Sequence, residues 1–156
     1  MTGFMFDTNV FNSIVDGRLP VERCAGKLLF ATHVQRDELQ RTKADQRRVA
    51  LMSAFTSLAP NKLITESAAW DVSNWDEAKW PASDGLFDKI RNRVTELDEQ
   101  GKKKSTAENI ARDSLIAETA IKNKIALVSD DRNLRTATIE FGGLSAAMSL
   151  KEFLAQ

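Results

Sequence analysis

"GFMFDTNVF", residues 3–11, decides the fold. Phe4, Met5 and Phe6 form a short apolar run, Asp7 interrupts it, and apolar residues return at Val10 after Thr8 and Asn9. A short apolar run with polar residues at its end reads as a buried strand. The polar stretch opens a helix over Thr8 to Asp16 that stops at Gly17. A carboxylate where a buried strand ends has two readings. It caps the next helix, or it belongs to a functional edge, because open parallel sheets gather function at the carboxyl ends of their strands. The same arrangement recurs at Ile125 to Val128, the most strand-like segment of the chain, where Ser129, Asp130 and Asp131 follow directly.

Between these two strand ends the pattern alternates. Leu28 to Ala31 reads as a second strand, and Thr32 with Gln35 makes a capping box for the helix after it. Ala50 to Leu58 reads as a helix stopped by Pro60 and Asn61, with a short third strand over Leu63 to Thr65. Leu86, Ile90, Val94 and Leu97 share one helical face. Ser105 and Glu108 read as a capping box for a helix reaching Asn123, and the chain closes with a helix, a turn at Gly142-Gly143, a short edge strand and a terminal helix near Leu150. Strands alternating with helices predict an α/β fold, a parallel sheet with helices on both faces.

Composition removes several classes of function. With 156 residues, 42% hydrophobic and 28% charged, the chain is expected to form one soluble domain over 1–156. No apolar run approaches the ~20 residues of a membrane span, and the first residues lack the pattern of a secretion signal. A cytoplasmic location is expected. Cys24 is the only cysteine and His33 the only histidine, which excludes an intrachain disulfide, a cysteine metal cluster and imidazole-rich zinc sites. The 22 basic and 22 acidic residues balance, so the chain is no general electrostatic binder of nucleic acid.

The placement of the acids carries the chemistry. Asp113 falls on the helical stripe of Ile110, Ile116, Ala117 and Ala120, where a solvated face is not expected. The bland reading pairs it with Arg112 or a backbone group. Glu38 follows Val34 by four residues and borders an apolar face, whereas Asp37 suits an outer ion pair with Arg41. Four carboxylates brought together raise one another's pKa unless cations share the site. Oxygen donors without histidine or cysteine suit hard ions, magnesium or manganese, which lower the pKa of a bound water and neutralise a phosphodiester.

At these residues the sequence resembles the PIN-domain family, named after the PilT N-terminus. "FDTNVF" (6–11) is similar to its first acidic motif, "THVQRDEL" (32–39) to its second, "ARDSLIAETA" (111–120) to its third and "LVSDDRNL" (127–134) to its fourth. The resemblance spans nearly the whole chain and keeps the family's order. It implies a three-layer sandwich with a parallel sheet in the order 3-2-1-4-5. It also implies cleavage of RNA with Mg2+ or Mn2+ by Asp7, Glu38, Asp113 and Asp131 as both catalytic residues and metal ligands. At the fourth motif Ser129 matches the family's threonine and Asp130 its asparagine, and Asp130 stands as the alternative ligand to Asp131. Thr8 and Ser129 are expected to orient carboxylates or waters by hydrogen bonds. Many small PIN proteins are toxins of toxin–antitoxin pairs, of the VapC type, which implies an antitoxin partner and a homodimer.

Other features fit less directly. The irregular segment around 66–84 contains Trp70, Trp75 and Trp80, which suit packing of an insertion or an oligomer contact, or base stacking. Lys102, Lys103 and Lys104 read as a solvated basic loop or, less directly, as a phosphate contact, and His33 as structural. Two other functions remain open. One is a phosphatase or phosphotransfer protein with Asp7 as nucleophile, against which Asn9 stands where a second acid is expected. The other is a PIN-like module that binds RNA or protein without catalysis. Within Asp130-Asp131, alternation along an extended segment points only one side chain at the site. The expectation is that Asp131 faces it and Asp130 caps the following helix.

Overall fold

A computed structural model describes residues 3–58, 60–69, 78 and 84–156. Trp70, Trp75 and Trp80 lie outside the described residues. Among those described, five parallel strands form one sheet in the order β3-β2-β1-β4-β5. They are β1 (Phe4–Phe6), β2 (Leu29–Ala31), β3 (Asn61–Lys62), β4 (Ala126–Val128) and β5 (Ala147–Met148). This is the strand order that the resemblance implies. The helices are α1 (Thr8–Val15), α2 (His33–Gln40), α3 (Asp45–Leu58), α4 (Leu86–Gln100), α5 (Ala107–Lys122), α6 (Arg132–Gly142) and α7 (Leu150–Leu154).

The central pair sets the geometry. Phe4, Met5 and Phe6 lie level with Ala126, Leu127 and Val128, and both strands are buried throughout. Alternation sends Met5 and Leu127 to one face of the sheet, where they pack with Ile90 and Val94 of α4, Ile116 and Ala117 of α5, and Leu134 and Ala137 of α6. Phe4, Phe6, Ala126 and Val128 face the other way, toward Phe11 of α1, Leu51 of α3 and Phe153 of α7. There Phe153 meets Phe4 and Phe6 edge-on at 5.1 and 5.2 Å between ring centres, a favoured aromatic geometry. No helix among the described residues is long and apolar enough to cross a membrane.

Local expectations differ from the structure at the third strand and at the cap of α5. The third strand pairs at Asn61–Lys62, earlier than Leu63 to Thr65, because the Asn61 side chain also donates to the Leu29 carbonyl at 3.0 Å and pins that register. The cap of α5 is Thr106, whose hydroxyl accepts from the Asn109 N–H at 3.1 Å, so the Ser105–Glu108 box does not form. Glu108 is held instead by Arg112 and Arg41. The turn after α6 rests on its glycines. A side chain at Gly142 would come within 2.7 Å of Ile121, and Gly143 has φ +90°.

Candidate active site

Asp7 and Ser129 are the first residues beyond β1 and β4. Because Phe6 is level with Val128, the alternation brings both side chains to the same face at the same height. Ser129 Oγ donates to Asp7 Oδ2 at 2.8 Å, and the Asp7 N–H donates to the Val128 carbonyl at 3.0 Å. Asp7 sits at the N-cap position of α1, yet its carboxylate makes no capping hydrogen bond there. It is 2% exposed and forms the floor of the site.

Glu38 reaches the same place from α2. The capping box of Thr32 and Gln35 forms as the sequence predicts. Gln35 then donates to the Phe6 carbonyl at 3.2 Å, fastening α2 to the end of β1. Three residues later on the helix, Glu38 Oε2 accepts from Thr8 Oγ1 at 2.8 Å. Asp37 pairs with Arg36 at 3.0 Å, whereas Arg41 reaches Glu108 at 3.6 Å. That last contact joins α2 to α5, the two helices that carry Glu38 and Asp113.

The Asp130-Asp131 pair divides as alternation requires, but with the capping role reversed. The exposed Asp130 turns to the α7 side of the sheet and accepts from the Leu150 N–H at 3.1 Å. Asp131 is the N-cap of α6, its Oδ1 accepting from the N–H groups of Asn133 and Leu134 at 2.9 and 3.1 Å. The segment stays extended one residue longer than expected, with Asp131 at φ −70° and ψ 108°. Asp131 therefore caps the helix with one oxygen and faces the acid cluster with the carboxylate's remaining charge. Its Oδ2 accepts from Lys103 Nζ. The expectation that the basic loop is merely solvated fails at Lys103.

Asp113 completes the set from α5. Its helical neighbours Ile110, Ile116, Ala117 and Ala120 are buried, and Asp113 is half-buried at the edge of that stripe. Arg112 is spent on Glu108 and Asn109, and among the described residues Asp113 has no hydrogen-bond or ion-pair partner. Burial raises Asp113 well above the ordinary carboxylate range, and the charges of Asp7, Glu38 and Asp131 add to the rise against Lys103. Burial likewise lifts Asp7 from 3.8 to about 6. The Ser129 hydroxyl draws it back, the Glu38 charge raises it, the Thr8 N–H lowers it and Asp131 raises it again. Partial burial opposes the charge of Lys103, but the hydrogen bond and charge of Asp131, with Asp98 and Asp113 behind it, leave its pKa raised.

Sequence reasoning did not connect three residues to this cluster. Besides Gln35, Lys103 and Asn133 line an open pocket of about 410 Å³ with Asn9, Asp130, Asp131 and Arg132. Asn133 also donates to Asp98 Oδ1 at 2.7 Å, an acid buried at the end of α4. Lys103 and Asp98 carry no sequence signal, because their partners are about 30 residues away.

The donor chemistry fits a hard divalent cation: oxygens only, with surplus negative charge that lifts two aspartates. The spacing does not enclose one. Among the described residues no group of three or more acidic, histidine or cysteine side chains is arranged to hold a metal ion. Magnesium is commonly held by only one or two carboxylates with waters completing its shell, and that mode suits this set.

No family model matches the chain, and no curated protein matches it. Among solved structures, the chain is similar to a member of the VapBC family of toxin–antitoxin systems, VapBC-5, from Mycobacterium tuberculosis. The identity is 15%, the TM-score 0.43, and the match covers 96% of this chain and 98% of that one.

Proposed function

We propose that this protein is an endoribonuclease dependent on Mg2+ or Mn2+ that hydrolyses RNA phosphodiester bonds. One observation carries the reading: Asp7, Glu38, Asp113 and Asp131, from four separate elements, lie in mutual electrostatic reach at the carboxyl edge of the sheet. A fold without a use for that charge would disperse it, because like charges at a half-buried site oppose folding. Asp7 and Asp113 are the residues to hold the ion, with Glu38 and Asp131 beside them. A bound divalent ion supplies an activated water and offsets the charge of a phosphodiester.

The protein's own groups do the positioning. Ser129 fixes one oxygen of Asp7 and Thr8 fixes one of Glu38, which leaves the other oxygen of each for a ligand. Arg132 and Lys103 line the adjoining pocket and give a phosphate two cations of complementary charge. An antitoxin and a second copy of the chain belong to this reading as partners.

Purified protein is expected to cleave single-stranded RNA with Mn2+ or Mg2+ and to stop when chelator is added. Asp7→Asn, Glu38→Gln and Asp113→Asn should each remove at least about 99% of the rate, a loss typical of essential groups. Asp37→Asn, whose carboxylate lies with Arg36, should stay near wild type. Full cleavage in chelator, or full activity in Asp113→Asn, refutes the proposal.

A further inference from the structure

We propose that Lys103 is an exchangeable counter-ion of the acid cluster, its ammonium holding the place at Asp131 that a divalent ion takes over. The inference rests on the metal reading above and concerns how that site is regulated.

The position of Lys103 is built by the backbone. At the end of α4 the Gly101 N–H donates to the Leu97 carbonyl, and the Lys103 N–H reaches back to the Asp98 carbonyl at 2.8 Å. Lys102 between them has φ +55°. This is the left-handed helix stop in which a sixth N–H closes on the first carbonyl. It directs the chain after α4 across to the start of α6. Lys103 Nζ there donates to Asp131 Oδ2, 28 residues away in sequence.

The charges around it explain why an ammonium settles at that point. Asp131 is 11% exposed at its side chain, and Lys103 also feels Asp98 and Asp113. Asp98 is buried, with Oδ1 on Asn133 and Oδ2 without a hydrogen-bond partner among the described residues. A half-buried group of carboxylates needs a cation to be tolerable. The lysine provides it within the chain and still keeps 45% of its side chain exposed, so it can withdraw to solvent without unfolding anything. A lysine ammonium is a strongly hydrated point charge on a flexible stem and readily changes partners. A divalent ion at the cluster and the ammonium at Asp131 repel each other, so each binds at the other's expense. The exchange sets the metal concentration at which the site loads.

The test is Lys103→Met, which keeps the stem and removes the charge, with Lys104→Met as the exposed neighbour in the same loop. Mn2+ binding is read from the free-ion spin-resonance signal and thermal unfolding is followed without metal. Lys103→Met should bind Mn2+ about tenfold tighter than wild type and melt about 3 °C lower without metal. Lys104→Met should change neither. A Lys103→Met affinity equal to or weaker than wild type overturns the exchange and leaves the metal site standing. An unchanged metal-free melting temperature overturns the counter-ion. An absence of Mn2+ binding in both proteins overturns the metal site and the exchange with it.

Discussion

At Asp7 the cluster's charge costs the fold stability. Its folded pKa of about 6 lies above the 3.8 of the unfolded chain, so its ionisation opposes folding. Below about pH 3 the residue is protonated in both states and the cost is nil. It grows as pH rises toward 6 and is complete above that, at about 3 kcal/mol. Asp7→Asn should therefore match wild type near pH 3 without metal and become more stable by up to that amount at pH 7. Urea unfolding at both pH values measures it, and a gain that does not grow with pH contradicts the assignment. Asp7 and Asp113 were legible in the sequence because each breaks an apolar pattern that its neighbours keep. Lys103 was not, because a lysine in a polar loop looks the same whether it meets solvent or an aspartate 28 residues onward.

At the scale of elements, the helix starts decide which acid does what. Asp131→Ala removes the cap of α6 and should cost about 1 kcal/mol or more, while Asp131→Asn keeps an acceptor for the same N–H groups and should cost less. Asp130→Ala frees only the Leu150 N–H and should act on α7 alone. Hydrogen exchange at the first turns of α6 and α7 separates the two, and protection lost in α6 from Asp130→Ala would reverse the roles. At α5, Thr106→Ala should cost about 1 kcal/mol and Ser105→Ala close to nothing, as read from denaturant midpoints. Equal losses would contradict the observed cap. The elements themselves were legible, since β1 matches its expected span and α1 and β4 agree to within a residue at their ends. Their punctuation was less so. Ser105-Thr106 and Asp130-Asp131 each offer adjacent capping residues, and the choice falls to backbone angles that tertiary contacts fix.

Across the whole molecule, the parallel order brings together acids from both ends of the chain. Phe6 and Val128 are neighbours in the sheet, and that one register places Asp7 beside Ser129. The ties from Gln35 to Phe6 and from Arg41 to Glu108 then bring α2 and α5 over the same edge. The topology was legible from the alternation of strands and helices and from the resemblance. How far the carboxylates stand from a closed metal cage was not, because spacing in sequence says nothing about side-chain distances between elements. The central claim is that these four acids form one divalent-metal site, and Mn2+ binding to wild type and to Asp113→Asn tests it most directly. Asp113 is the informative choice because it has no hydrogen-bond partner to lose among the described residues. The account predicts saturable binding by wild type that weakens by about tenfold or more in the variant; equal affinities, or no binding by wild type, would contradict it.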